Sequence, residues 1–201
     1  MSPERSVTYV SERTLYDNIA MRLRFNEAKA TQVAARMLRL RGGSMSYMKL
    51  IKLMYLVDRE GLRRWGRAVS TDRYVSMDRG PVLSRVYSLI TEEPEPDSFW
   101  AKHITPRRYD VELTVDPGDD ELSPAEEALI DEIFAEHGRK NRWQLVDELH
   151  KVPEWQDPAG SSIPIDLSDL LKAIGKTDSE IAAIESELEN LSVAELLLQP
   201  R

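Results

Sequence analysis

The chain has 201 residues, enough for one sizeable domain or two small ones. Apolar residues at 41% and charged residues at 31% are the balance of a folded, soluble protein. The absence of cysteine excludes a disulfide framework, thiolate metal sites and a cysteine nucleophile. The net charge of -8 conceals a division: residues 1–90 carry 17 Lys+Arg against 8 Asp+Glu, and residues 91–201 carry 10 against 27. Such a split either gives opposite faces that steer different partners or makes the two halves attract each other within one fold. No apolar run reaches the roughly 18 residues that span a bilayer. Met1-Ser-Pro-Glu-Arg5 has no apolar stretch behind it of the signal-peptide kind, so a cytoplasmic protein without membrane partners is expected.

In chain order, Leu15, Ile19 and Leu23 at four-residue spacing predict a first helix within a 1–27 extension. Val33, Met37 and Leu40, with Ala30, Ala34 and Ala35, predict a stronger helix from Ala28 to Leu40, which Gly42-Gly43 ends. A further helix runs from Ser46 to Trp65 on Leu50, Leu53, Met54, Val57 and Leu62, so the two form an αα-hairpin. Arg73–Met77 reads as a strand or extended segment. Gly80-Pro81 then reads as the start of a helix with Val82, Val86, Leu89 and Ile90 on one face, because a first-turn proline gives up no hydrogen bond. Tyr109 to Val115 alternates apolar and polar residues as a half-buried strand does, with Phe99–Ile104 as its expected partner across Thr105–Arg108.

Past Pro117 the chain turns helical. Ser123 and Glu126 have capping-box spacing, Ala128, Leu129, Ile133 and Phe134 give an apolar face, and Gly138 ends it. Asn141 opens a helix with Leu145, Val146 and Leu149 inward, which Pro153 stops. A Pro/Gly/Ser-rich connection over 153–165 holds Trp155. Helices then run from Leu167 to Ile174 and from Asp178 to Leu191, the second capped by Thr177 with Glu180, and a last turn starts at Ser192. The fold class is mainly α, a helical domain with a small antiparallel β-sheet near the middle. Its parts are residues 1–27, a main domain over 28–175 and a C-terminal amphipathic helix over 176–201.

Catalytic constellations are missing from the sequence. His103, His137 and His150 share no metal-ligand spacing, and neither a Gly-x-Ser-x-Gly elbow nor a phosphate loop is present. Neither an enzyme nor a cofactor is expected. DNA binding through the basic hairpin is an alternative, with Arg36, Arg39, Lys49 and Lys52 as its phosphate contacts.

The run Met48-Lys-Leu-Ile-Lys-Leu-Met-Tyr-Leu-Val-Asp58, followed by Tyr74-Val-Ser-Met-Asp-Arg-Gly-Pro-Val82 and Ser84-Arg-Val-Tyr87, resembles the signature of the Panacea-domain (SocA-like) antitoxins. Leu122 to His150 with Trp155 is similar to the family's second half, so the resemblance covers about residues 28–170. It implies a mostly helical domain with a small sheet that neutralises a cognate protein toxin by direct binding. For the SocA branch it further implies a proteolytic adaptor that hands the toxin to ClpXP.

On this reading Lys49, Leu50, Leu53, Tyr55, Val82, Tyr87 and His150 mark the core and fold signature. Candidate toxin contacts are Arg73, Tyr74, Met77, Asp78, Arg79, Gly80, Pro81 and Trp155, which mix the aromatic and arginine residues that dominate interface energetics. The loop that also holds Pro153 and Ile163, and the C-terminal stripe of Ile181, Ile184, Leu188 and Leu191, are further candidates. For that stripe, folding back on its own domain is the first expectation.

Overall fold

The computed structural model describes residues 24–198 apart from positions 94 and 96. The helix expected on Leu15, Ile19 and Leu23 lies outside the described residues. Helix α1 (Glu27–Arg41) begins on Asn26, whose side chain accepts from the Lys29 N–H at 2.9 Å. It ends as its glycines require. Gly42 stands at φ 94°, and the Gly42 and Gly43 N–H groups donate to the Arg39 and Leu38 carbonyls.

The chain does not pass straight into the next helix. Residues Ser44–Ser46 form a strand, β1, before helix α2 (Tyr47–Trp65) starts. The expected αα-hairpin thus carries a strand in its connection, because a distant segment is available to pair with it. Helix α2 is the axis of the molecule, burying Leu50, Leu53, Met54, Tyr55, Val57 and Leu62 together with Lys49, Lys52 and Asp58. A helix buried this far round belongs at the centre of a core.

Strands β2 (Tyr74–Met77) and β3 (Gly80–Leu83) form a hairpin, with Ser76 opposite Pro81 and Met77 opposite Gly80. This corrects the expected helix start at Gly80-Pro81. Strand β3 is an edge strand of its sheet, where a missing N–H is tolerated, so the proline fits a strand as well as a helix. Helix α3 (Ser84–Thr91) begins four residues later, and Asp72 caps it from a distance. The Asp72 carboxylate accepts from the Arg85 and Val86 N–H groups, both at 2.9 Å.

The second correction concerns Phe99. Residues Phe99–His103 are a short helix, α4, and the strand that pairs with β5 (Asp110–Leu113) is β4 (Ile104–Arg107). Ser98 caps α4 by accepting from the Ala101 N–H, and Glu27 accepts from the Ser98 hydroxyl and the Trp100 N–H. These bonds fix a helical turn that puts Trp100 into the core.

Helix α5 (Pro124–His137) starts on the Ser123–Glu126 capping box, and α6 (Arg142–Leu149) starts on a second box formed by Asn141 and Gln144. A short strand within the 153–165 connection, β6 (Ile163–Ile165), has too few residues to show a period and forms by pairing with β2. Helices α7 (Leu167–Ala173) and α8 (Asp178–Leu198) complete the chain, α8 without a break at Ser192.

The fold is therefore mainly α, with eight helices among the described residues and two three-stranded antiparallel sheets, in orders β1-β5-β4 and β3-β2-β6, rather than one. The stripe of α8 folds back: Ile181 joins the hydrophobic core, Ile184 packs against it and Leu188 is buried, while Leu191 is exposed.

Candidate protein-binding face

Ion pairs across the charge division hold the two halves together. The Arg36 guanidinium meets Asp131 through Nε and a terminal nitrogen, both at 2.7 Å, and Glu127 at 2.7 Å. Arg39 pairs with Asp116 at 2.5 Å and with Asp119. Lys29 meets Glu126, and Arg64 meets Glu132. The two buried lysines of α2 have different partners: Lys49 donates to the Gly138 carbonyl and Lys52 to the Pro81 carbonyl, both at 2.6 Å. All four residues proposed for phosphate contact are thus engaged inside the domain. These four offer no patch, because the acidic half neutralises Arg36 and Arg39 and the core takes Lys49 and Lys52.

Two further carboxylates are structural. Asp58 is fully buried and accepts from the Val69 and Ser70 N–H groups, the Ser70 hydroxyl and the Tyr74 hydroxyl. Burial pushes its carboxyl up to about 6 in spite of these bonds. Glu154 accepts from the Tyr55 hydroxyl at 2.7 Å and from Arg59 Nε at 2.6 Å, tying the loop after α6 to the central helix. Tyr55 and Tyr74 meet edge to face, with ring centroids 5.9 Å apart. Tyr74 is therefore a core residue, 7% exposed.

The remaining candidates separate by exposure. Arg73, Asp78 and Arg79 are exposed and Met77 is half-buried, whereas Gly80 and Pro81 are buried. The β2–β3 turn is held from below. Trp155 donates through its indole N–H to the Met77 carbonyl at 3.1 Å and stacks on His150, with ring centroids 4.2 Å apart. The Gly160 N–H donates to Asp78 at 2.9 Å. Gly80 stands at φ 92°, and a Cβ there would lie 3.2 Å from Lys52 Nζ and 3.4 Å from His150 Cδ2. Glycine is required at this position both for the backbone and for the close approach.

At the turn the structure adds two residues that the sequence reading did not name. The Arg79 and Arg142 guanidiniums both lie 5.4 Å from the centre of the Trp143 ring, and Trp143 is 49% exposed. The available signal was a tryptophan on the helix face opposite Leu145, Val146 and Leu149. Met77, Asp78, Arg79, Trp143, His150 and Trp155 thus form one continuous patch at one end of the sheet. Arg73 sits at the far end of β2, outside it. Among the described residues no His, Asp and Glu groups are placed to hold a metal ion, and no helix is long and apolar enough to cross a membrane.

The family model described as antitoxin SocA-like, Panacea domain matches residues 50–156, more than half of the chain. The chain belongs to this family. No curated protein and no solved structure matches it. The Panacea match takes in α2 from Leu50, the β2–β3 hairpin, Trp143 and the His150–Trp155 stack, so the whole patch lies within it. The fold signature lies largely inside the domain: Leu50, Leu53, Tyr55, Val82 and Lys49 are buried, while Tyr87 and His150 are half-buried.

Proposed function

We propose that this Panacea-domain protein is a non-enzymatic cytoplasmic antitoxin that neutralises a cognate protein toxin by direct binding. The family match over residues 50–156 carries the reading. The patch at the β2–β3 turn supports a location for the contact. An exposed tryptophan with two guanidiniums over its ring supplies the residue types that anchor interfaces. Inhibition is steric: the patch covers the toxin's working surface or holds it inactive. Delivery of the bound toxin to ClpXP would be a further step, and its only support is the SocA branch of the family.

The experiment is expression of the adjacent gene's product alone and together with this chain, followed by purification through a tag on the chain. Growth arrest by the first protein, rescue by co-expression and a stable complex are the expected outcome. A neighbour that is harmless alone, or toxic and not rescued, overturns the reading. Degradation of the neighbour in a purified ClpXP reaction only when this chain is added tests the adaptor step.

A further inference from the structure

Beside the patch lies a cleft of about 250 Å³, lined by Tyr47, Ile51, Lys52, Arg79, Gly80 and Tyr87 among others. Lys52 is 1% exposed, and among the described residues its ammonium makes one hydrogen bond, to the Pro81 carbonyl. An ammonium group has three donors, and none of those of Lys52 meets a carboxylate. A cation buried without a counter-charge costs several kcal/mol; the partly buried Arg59 has Glu154 and Arg36 has Asp131 and Glu127, whereas Lys49, which like Lys52 meets a backbone carbonyl, does not line the cleft.

An anion entering the cleft would supply a counter-charge for the protonated amine. The charged residues lining the cleft are Lys52, Arg79 and Asp78, which leaves an excess of positive charge, and the Asp78 carboxylate already accepts from the Gly160 N–H. Apolar and aromatic walls from Tyr47, Met48, Ile51, Met77, Val82 and Tyr87 suit the carbon stem of a side chain. The opening adjoins Arg79, which also contacts Trp143 on the proposed contact face.

We infer that this cleft receives an aspartate or glutamate side chain of the protein partner, with Lys52 as the cation that meets its carboxylate. The inference rests on the antitoxin reading for the identity of the partner, and on the cleft alone for its chemistry. The amine is held down to about 7 by burial, so an incoming carboxylate restores its proton as it binds. The other titratable groups near Lys52 are His150, Asp78, Arg79, Tyr47 and Tyr87, with Lys49 one turn earlier on α2.

The probe is N-acetylglutamate α-amide, with N-acetylglutamine amide and inorganic phosphate as comparisons, titrated into the full chain carrying ¹³C-labelled lysine. The expected result is a saturable shift of the Lys52 Cε resonance with the glutamate probe and none with the glutamine probe. Binding should weaken at least tenfold between pH 7.5 and 9.5, above the ordinary histidine range of ~6.5. Lys52→Met should abolish both the binding and its pH dependence.

Equal shifts with glutamate and glutamine, no shift at Lys52, or a stronger response to phosphate would each overturn the inference. If Lys52→Met fails to fold, the Lys52 resonance of the unaltered chain still decides the matter. These readouts use no toxin, so failure of the antitoxin reading would appear in co-expression and failure of the cleft only here.

Discussion

Arg36 and Asp131 lie 95 residues apart and face each other as a two-bonded pair, with both nitrogen–oxygen distances 2.7 Å. One comes from the basic half of the chain and the other from the acidic half. With Arg39–Asp119, Lys29–Glu126 and Arg64–Glu132, this pair turns the charge division of the sequence into attraction between helices α1, α2 and α5 and the loop before α5.

Removing the Arg36 fork therefore weakens the fold. Arg36→Ala should cost about 1–2 kcal/mol, because the pair is two-bonded but partly exposed to solvent. Arg36→Glu should cost more, since it sets a fourth carboxylate beside Asp131, Glu127 and Asp119. Urea denaturation of the three proteins checks the order. A fold left unchanged by either substitution would deny the pair its role.

Lys52 makes stability depend on pH in a direction that can be worked out. Its folded value of about 7 lies below the ordinary 10.5, so between those limits the unfolded chain binds the extra proton. Stability should rise with pH across that window, and below pH 7 the cost is fully present. Lys52→Met removes the slope. The difference between the two proteins should change by about 3–4 kcal/mol from pH 6.5 to 9.5, at 1.36 kcal/mol per pH unit, read from denaturant midpoints.

Asp58 behaves in the opposite sense. A carboxyl held at about 6 against an ordinary 3.8 keeps its proton longer in the folded state, so its contribution falls as pH rises from about 4 to 6. Asp58→Asn should remove that loss and leave the protein at least as stable at pH 7. Asp58→Ala strands the buried Val69 and Ser70 N–H groups and should cost about 2–4 kcal/mol. Thermal melts of both variants at pH 5 and 7 separate the two effects.

Trp143 should matter for partner binding and not for folding. Half exposed and outside the core, it can be cut to alanine with a change in stability within about 0.5 kcal/mol. In the complex with the co-purified toxin, Trp143→Ala should lower affinity tenfold or more, and Arg79→Ala should do so to a lesser degree. Unchanged affinity in a titration calorimeter would move the contact elsewhere on the domain.

What could be read in advance depended on how far apart the deciding groups lie. The Ser123–Glu126 box was legible because donor and acceptor are three residues apart, and the Gly42-Gly43 stop because the left-handed backbone is a property of the residue itself. Gly80-Pro81 was misread because its local preferences suit a helix start and an edge strand alike, and pairing with Tyr74–Met77 decided between them. Phe99 was misread for a similar reason, since Glu27 is 73 residues from the Trp100 N–H that it accepts from.

The sequence by itself determined the helical elements other than Phe99–His103 and most of their ends, the apolar stripes and the family signature, since each is written within a few adjacent turns of chain. Only the tertiary structure decided that Arg36 and Arg39 face carboxylates, that Lys52 is buried and bonded to the Pro81 carbonyl, and that Arg79 and Arg142 both lie over the Trp143 ring. Those relations join residues from separate elements, and an isolated charge or ring carries no record of its neighbours. Packing of the core brings the elements together, and the charges then find the partners that the packing leaves within reach.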